Sequence, residues 1–276
     1  MSNAFWHGFA DMHAISEAGP LVITRGEGSW VWDQDGNKYF DAAGALWYMN
    51  VGHGRRRIAE AMMAQGALIA SYSSFGECTT ATTIELAERV AGLSPNPDSK
   101  VFFTLGGSDA IDTAMKMARR YWTLKGQPEK QVIIFRENGY HGMNIGGTSI
   151  AGIGPNNDGL GDLVTNVVQV PWDDADEVIA AIDRIGEGSI AALFCEPVMG
   201  AGGVRIAPDT YLQAVRKACV ERNILFVADE VITGFGRCGD WFASNRFGLE
   251  PDLMTVAKGL TSGYSPMGAV IAAPTV

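Results

Sequence analysis

The sequence predicts an α/β protein, a mostly parallel sheet flanked by helices. Short apolar runs alternate with helical patterns of about 10–15 residues, the rhythm of repeated βαβ units. One run, Ile224 to Ala228, is unbroken Ile-Leu-Phe-Val-Ala, as a strand buried on both faces requires. The 276 residues, 47% hydrophobic and 19% charged, supply ample side chains for a large core.

Composition also excludes partners. A net charge of −10 argues against nucleic acid and anionic membrane. No apolar run reaches the roughly 18 residues needed to span a bilayer, and Met1-Ser2-Asn3 leads into no apolar signal segment. Cys78, Cys195, Cys219 and Cys238 are scattered, with no C-x-x-C pair. That is the usage of free thiols in a reducing compartment, neither a disulfide frame nor a zinc site, so a cytoplasmic protein without a metal is expected.

In chain order, residues 1–19 read as an aromatic-rich arm carrying Trp6, His7, Phe9, Met12 and His13. From Leu21 to Asp41 hydrophobic runs flank Asp35-Gly36, a hairpin turn signal, so a small antiparallel sheet is expected. Ala45 to Gly54 is a loop of small residues, aromatics and His53, suited either to packing or to lining a pocket. Helices follow at Ile58–Ile69 and Thr79–Leu93; the second is threonine-capped and places Ile84, Ala87, Val90 and Ala91 in the core.

Val101–Thr104 is the next strand. Leu105-Gly106-Gly107-Ser108-Asp109-Ala110 then opens a helix to about Leu124. Such a junction presents free N–H groups and a positive dipole end to an anion, and paired glycines let a phosphate approach the backbone. The plainer reading is simple capping, with Asp109 and Asp112 satisfying the first turn. Strand Gln131–Phe135 leads to Tyr140-His141-Gly142, where an aromatic beside a glycine can lie flat on a ring. The glycine-dense tract Gly146–Gly161 reads as a functional loop rather than a linker. Asn166–Val170 is a strand, Ala175–Ile185 a helix, Ile190–Cys195 a strand ending in Glu196-Pro197, and Pro208–Glu221 the crossover helix.

The Ile224 strand runs into Asp229-Glu230, and a second apolar strand, Leu253–Ala257, runs into Lys258-Gly259. Each delivers one charged side chain at a carboxyl end, where open α/β sheets bind ligands. A lysine at the edge of an apolar site loses proton affinity and can form a Schiff base with an aldehyde. A carboxylate opposite a pyridine nitrogen keeps that nitrogen protonated. Two unrelated loop charges are the bland alternative.

The string DEVITGFGRCGDWFA, followed by PDLMTVAKGLTSGYSPMGA, resembles the signature of the class III aminotransferases, pyridoxal-phosphate-dependent enzymes of fold type I. The resemblance implies Asp229 as the carboxylate on the pyridine nitrogen, Lys258 as the Schiff-base lysine and Val231 against the cofactor ring. Gly107 and Ser108 fall where the family's S-G-S-E-A cradles the phosphate, with Gly106 and Asp109 replacing its serine and glutamate. The (F/Y)-H-G element makes Tyr140 the stacking aromatic and places His141 behind it. The E-P-x-x-G motif puts Glu196 near the cofactor. The ω-transaminase run G-L-W-x-x-N-V-G-H-G matches Ala45–Gly54, with Ala45 in place of glycine, and implies Leu46 and Trp47 as substrate-pocket residues. Ala201 and Ile232 stand where ornithine- and 4-aminobutyrate-type members carry glutamate and glutamine, which favours the ω-amino acid/amine:pyruvate branch.

The resemblance thus implies a pyridoxal 5'-phosphate transaminase that moves an amino group from an ω-amino acid or amine to an oxo acid such as pyruvate, as a homodimer when full length. Aminomutase or decarboxylase chemistry on the same cofactor, or a non-catalytic truncated homologue, are the alternatives. It also implies that residues 1–50 form an arm and small sheet of the small domain, and that 51–276 form a cofactor-binding large domain. Val276 falls 18 residues past Lys258, where members of the family continue, so a fragment is expected.

Overall fold

A computed structural model describes residues 4–276. Met1-Ser2-Asn3, and with them the start of the expected arm and the reading of the N-terminus as free of a signal segment, lie outside the described residues.

The arm holds helix α1 (Met12–Ala18), whose first N–H groups are capped by Asp11. Strands β1 (Ile23–Glu27), β2 (Trp30–Asp33) and β3 (Lys38–Phe40) form the antiparallel sheet expected around Asp35-Gly36. Its turn is organised by Asp33, which accepts from the Asp35 and Asn37 backbone amides, from Asn37 Nδ2 and from Tyr39 Oη; the Asn37 side-chain bond foremost holds its carboxyl down at about 2. A short kinked turn, α2 (Gly44–Trp47), leads to helices α3 (Arg56–Leu68) and α4 (Ala81–Leu93). Thr80 caps α4 as its sequence suggests.

The rest is a layered α/β body: β4 (Lys100–Thr104), α5 (Gly107–Leu124), β5 (Val132–Arg136), α6 (Ile145–Ser149), β6 (Val167–Val170), α7 (Ala175–Ile185), β7 (Ile190–Cys195), a small hairpin of β8 (Val198–Met199) and β9 (Arg205–Ile206), α8 (Tyr211–Glu221), β10 (Leu225–Asp229), α9 (Ala243–Phe247), β11 (Leu253–Val256) and β12 (Gly268–Ala272). Seven strands form one sheet in the order β4-β12-β11-β10-β7-β5-β6. Pairings among β6, β5, β7, β10 and β11 are parallel; β12 is antiparallel to both β11 and β4.

Alternation along β10 explains the two cores. Phe226 and Ala228 face a cluster with Val178, Ile182, Leu212 and Val215 from α7 and α8. Leu225 and Val227 face the opposite cluster, with Ile111, Ala114, Ala118 and Trp122 on the inner face of α5. Each fully buried leucine, isoleucine or phenylalanine contributes about 1.5–3 kcal/mol by transfer from water. An apolar run without polar alternation is what a strand covered on both faces requires.

Some expectations fail. β12 has no counterpart in the sequence reading, because Gly-Ala-Val-Ile-Ala after a glycine- and proline-rich stretch carries little strand signal of its own. Its antiparallel pairing to β11 and β4 creates it. Ile84 is half exposed rather than core, and α3 buries none of its residues. α4 still packs Leu86, Val90 and Leu93 against the core, whereas the apolar residues of α3 stay uncovered within the described residues.

Candidate active site

The carboxyl ends of β4, β5, β7, β10 and β11 converge on a cavity of about 540 Å³. Every site residue expected from the sequence lines it: Leu46, Trp47, Gly107, Ser108, Tyr140, His141, Glu196, Asp229, Val231 and Lys258. They come from segments up to 212 residues apart, from Leu46 to Lys258, so only the sheet topology brings them together.

Asp229 ends β10 with its side chain turned into the cavity floor, 4% exposed. Oδ1 accepts from Thr255 Oγ1 and from the Val231 amide, both at 3.1 Å, and Oδ2 lies 2.8 Å from His141 Nδ1. Three polar partners offset part of the cost of burying this carboxyl group. The adjacent Glu230 points the other way. Its oxygens accept from Thr233 Oγ1 and from the Ala243 and Ser244 amides, so it caps α9 and takes no part in the cavity.

Glu196, just past β7, is equally buried. Its two oxygens accept from the Tyr140 and Gly200 amides, each at 3.0 Å, tying the aromatic loop after β5 to the β8 hairpin. Burial pushes its carboxyl upward, opposed chiefly by His141. Beneath it, Arg136 is fully buried, donates to the Glu196 carbonyl and sits 5.5 Å from the Tyr211 ring. Burial, and then the nearby Asp229, also raise the Tyr140 phenol, so this side chain enters the cavity neutral.

Lys258 follows β11 in a left-handed backbone conformation, φ +45°. Its Nζ lies 5.3 Å from the centre of the Trp47 indole. Burial lowers its ammonium, only partly offset by Asp229 and Glu196. This is how an amine becomes nucleophilic near neutral pH.

At the α5 N-terminus the structure departs from simple capping. Gly106 is the N-cap and no side chain caps the helix. Ser108 Oγ accepts from the Met143 amide, Asp109 from Asn144 Nδ2, and Asp112 from the Gly146 and Gly147 amides. The two aspartates anchor the loop and α6 instead, leaving the first-turn N–H groups of α5 facing the cavity. Gly107 is a close approach: a Cβ there would lie 3.0 Å from Val231 Cγ1.

Phe9, Ile153 and Asn156 also line the cavity and escaped the sequence reading. Phe9 was visible only as one of several aromatics in the arm. Ile153 and Asn156 sit in the glycine-dense tract, whose composition marks a loop but not which residues face inward.

The pocket loop carries strain. Ala45 has φ +57° and ψ −91°, near the rare γ-turn region. Asp41 holds it there by accepting from the Ala45 amide, and His53 Nε2 braces Asp41 at 2.8 Å. Ala45→Gly is therefore expected to stabilise the fold, since relief of about 1–2 kcal/mol of strain exceeds the added chain entropy of about 0.5–1 kcal/mol. A thermal melt should show a rise of roughly 1–4 °C; a fall would mean that Ala45 is unstrained.

A parallel sheet whose strand ends bring a desolvated lysine, a buried aspartate, a flat aromatic and an uncapped helix N-terminus into one cavity is the architecture of the fold type I pyridoxal-phosphate transferases. The aminotransferase class-III family model matches residues 13–276, and the chain belongs to that family. It is 41% identical over 281 residues to putrescine–pyruvate aminotransferase of Pseudomonas aeruginosa, covering 95% of this chain and 61% of that protein. Omega-amino acid–pyruvate aminotransferase of Pseudomonas putida is 40% identical, covering 93% and 61%. Among solved structures, a thermostable (S)-enantioselective omega-transaminase from Thermomicrobium roseum superposes with a TM-score of 0.95 at 40% identity, over 98% of this chain and 64% of that one. An amine transaminase from an uncultivated Pseudomonas species, in its PLP-bound (internal aldimine) form, superposes with a TM-score of 0.96 at 36% identity, over 99% and 66%. The chain thus spans about three fifths of the length of the curated relatives it matches.

Class III aminotransferases depend on pyridoxal 5'-phosphate, and the residues present fit it. The donor set is complementary to the cofactor: an anionic floor at Asp229, an amine at Lys258, free N–H groups at the α5 N-terminus and an apolar wall at Val231. No helix among the described residues is long and apolar enough to cross a membrane.

Proposed function

We propose that the protein is a pyridoxal-phosphate-dependent transaminase that moves an amino group from an ω-amino acid or amine to an oxo acid such as pyruvate. The observation that carries this reading is the pairing of Lys258 and Asp229 in one largely apolar cavity at the ends of adjacent parallel strands. Bound pyridoxal phosphate supplies an aldehyde for amine exchange and a protonated pyridine that withdraws electrons from the substrate carbon. The protein does the rest. Lys258 would hold the cofactor's aldehyde carbon, and its amine, whose proton affinity burial lowers, would serve as the base that moves the substrate proton. Asp229 would hold a proton on the ring nitrogen, and His141 and Thr255 orient its carboxylate. Tyr140 and Val231 would hold the ring, with Glu196 fixing the Tyr140 backbone. Gly107 and Ser108 offer the α5 N-terminus to the phosphate. Leu46 and Trp47 border the substrate.

The acceptor and donor classes rest on the relatives named for pyruvate and on the apolar Ala201 and Ile232 at the cavity wall. A homodimer is part of the proposal. It is supported by α3, which buries nothing and exposes Met63 and Leu68, and by Phe75 beyond it, 91% exposed. Such contiguous apolar surface marks an interface. A cytoplasmic location fits the four free cysteines. Residues 1–50 are assigned to a small domain and 51–276 to the cofactor-binding one.

The full-length protein loaded with pyridoxal phosphate should be yellow, and borohydride should fix the colour to the peptide containing Lys258. Amino-acceptor assays should then show turnover with pyruvate well above that with 2-oxoglutarate. A colourless protein that ignores added cofactor would overturn the enzyme assignment; preference for 2-oxoglutarate would overturn the branch.

A further inference from the structure

Lys258 is a non-glycine residue at φ +45°, a conformation that is costly for an L side chain and persists only where the surroundings over-determine it. It opens a 3₁₀ turn, Lys258–Leu260, closed by the Leu260 amide on the Ala257 carbonyl and the Thr261 amide on the Lys258 carbonyl. Its support comes from the N-terminal loop. Asn50 Nδ2 donates to the Phe235 carbonyl at 3.0 Å, and its Oδ1 accepts from Arg237 Nη2 at 3.0 Å. The same carboxamide abuts the residue after the lysine: a Cβ on Gly259 would lie 2.6 Å from Asn50 Nδ2. The next amide, Val51, donates to Ser262 Oγ at 3.0 Å and so ties down the far end of the turn. Arg237 also donates to the Trp47 carbonyl at 3.3 Å, and the Trp47 indole is the group beside Nζ.

We propose that Asn50 is a positioning residue for Lys258, its carboxamide locking the glycine loop after β10 and the lysine turn after β11 into one arrangement. The inference rests on Lys258 as the reacting amine. The chemistry selects asparagine. Aspartate lacks the donor that Phe235 requires, leucine lacks both functions, and glutamine is one methylene too long for the gap beside Gly259. Asn50 lies at the exposed rim, so truncating it leaves both cores untouched.

The test reads the lysine directly. In full-length protein freed of cofactor, amines labelled by reductive ¹³C-methylation are titrated by NMR, the Lys258 signal being assigned by its absence in Lys258→Arg. Asn50→Ala and Asn50→Asp should raise the Lys258 midpoint by about one pH unit, as the turn loosens and water reaches the amine. Tyr264→Phe breaks two bonds of the same loop, from the Arg55 amide and to the Gly52 carbonyl, without reaching Gly259. It should lower the melting temperature and leave the Lys258 midpoint at its native value. Native midpoints in both Asn50 variants would overturn the proposal, as would loss of folding in both, since Asn50 would then hold the fold rather than the lysine. The titration uses no cofactor, so failure of the native protein to take up pyridoxal phosphate would sink the function while this reading stood or fell separately.

Discussion

Replacing Lys258 with alanine is expected to lower transamination on the order of 10⁴-fold or more, the scale lost when a covalent nucleophile is removed from an otherwise intact site. The fold should survive. The lysine belongs to no ion pair within the cavity, and the turn is held by backbone bonds such as Leu260 N to the Ala257 carbonyl, which alanine retains. The pH profile gives a sharper reading. Burial disfavours the ammonium, so the neutral amine appears below the solvated lysine value of 10.5. In the native enzyme the rate should therefore rise with pH along a limb lying below that value. The alanine variant should lose the limb as well as the rate, and small primary amines added to the buffer should restore part of the rate. A variant that keeps native turnover would show that another group moves the proton. Measuring kcat and kcat/KM from pH 6 to pH 10, with melting temperatures alongside, separates these outcomes.

What the sequence made legible follows from how locally each feature is encoded. β7, β10 and β11 are buried on both faces, so their codes are bare apolar runs, and the charged residue ending each is conspicuous against them. Asp229, Lys258 and Glu196 could be located for that reason. Ser108 was located, but its own hydrogen bond could not be read from the sequence. Its hydroxyl looks like an N-cap in one dimension, whereas in three it meets the Met143 amide from a loop 35 residues on. Asp109 and Asp112 likewise serve a distant loop rather than their own helix. β12 became a strand only by pairing between β4 and β11. Asn50 and Arg237 were invisible as partners because 187 residues separate them. Strand ends are written locally; the clasp between loops is written only in the fold.

Asp229→Asn is expected to lower kcat by roughly 10²–10³-fold, the cost of removing one preorganised charge from a dry site. The substitution is nearly isosteric, and its hydrogen bonds show why structure and activity should separate. An amide oxygen at the Oδ1 position keeps both the Val231 amide and Thr255 Oγ1. The amide nitrogen at the Oδ2 position faces His141 Nδ1, which then accepts instead of donating, at the cost of a tautomer change. The melting temperature should therefore stay within a few degrees, or rise, since a buried charge has been removed. Function has no such substitute. An amide donates where the pyridine nitrogen needs an acceptor, so the ring proton is no longer held and the substrate carbon loses its electron sink. Because binding depends on the phosphate and aromatic contacts, the loss should fall on kcat with KM little changed. Turnover within tenfold of native in a fully loaded Asp229→Asn protein would show that the carboxylate at the end of β10 is structural, with His141 its partner for stability alone.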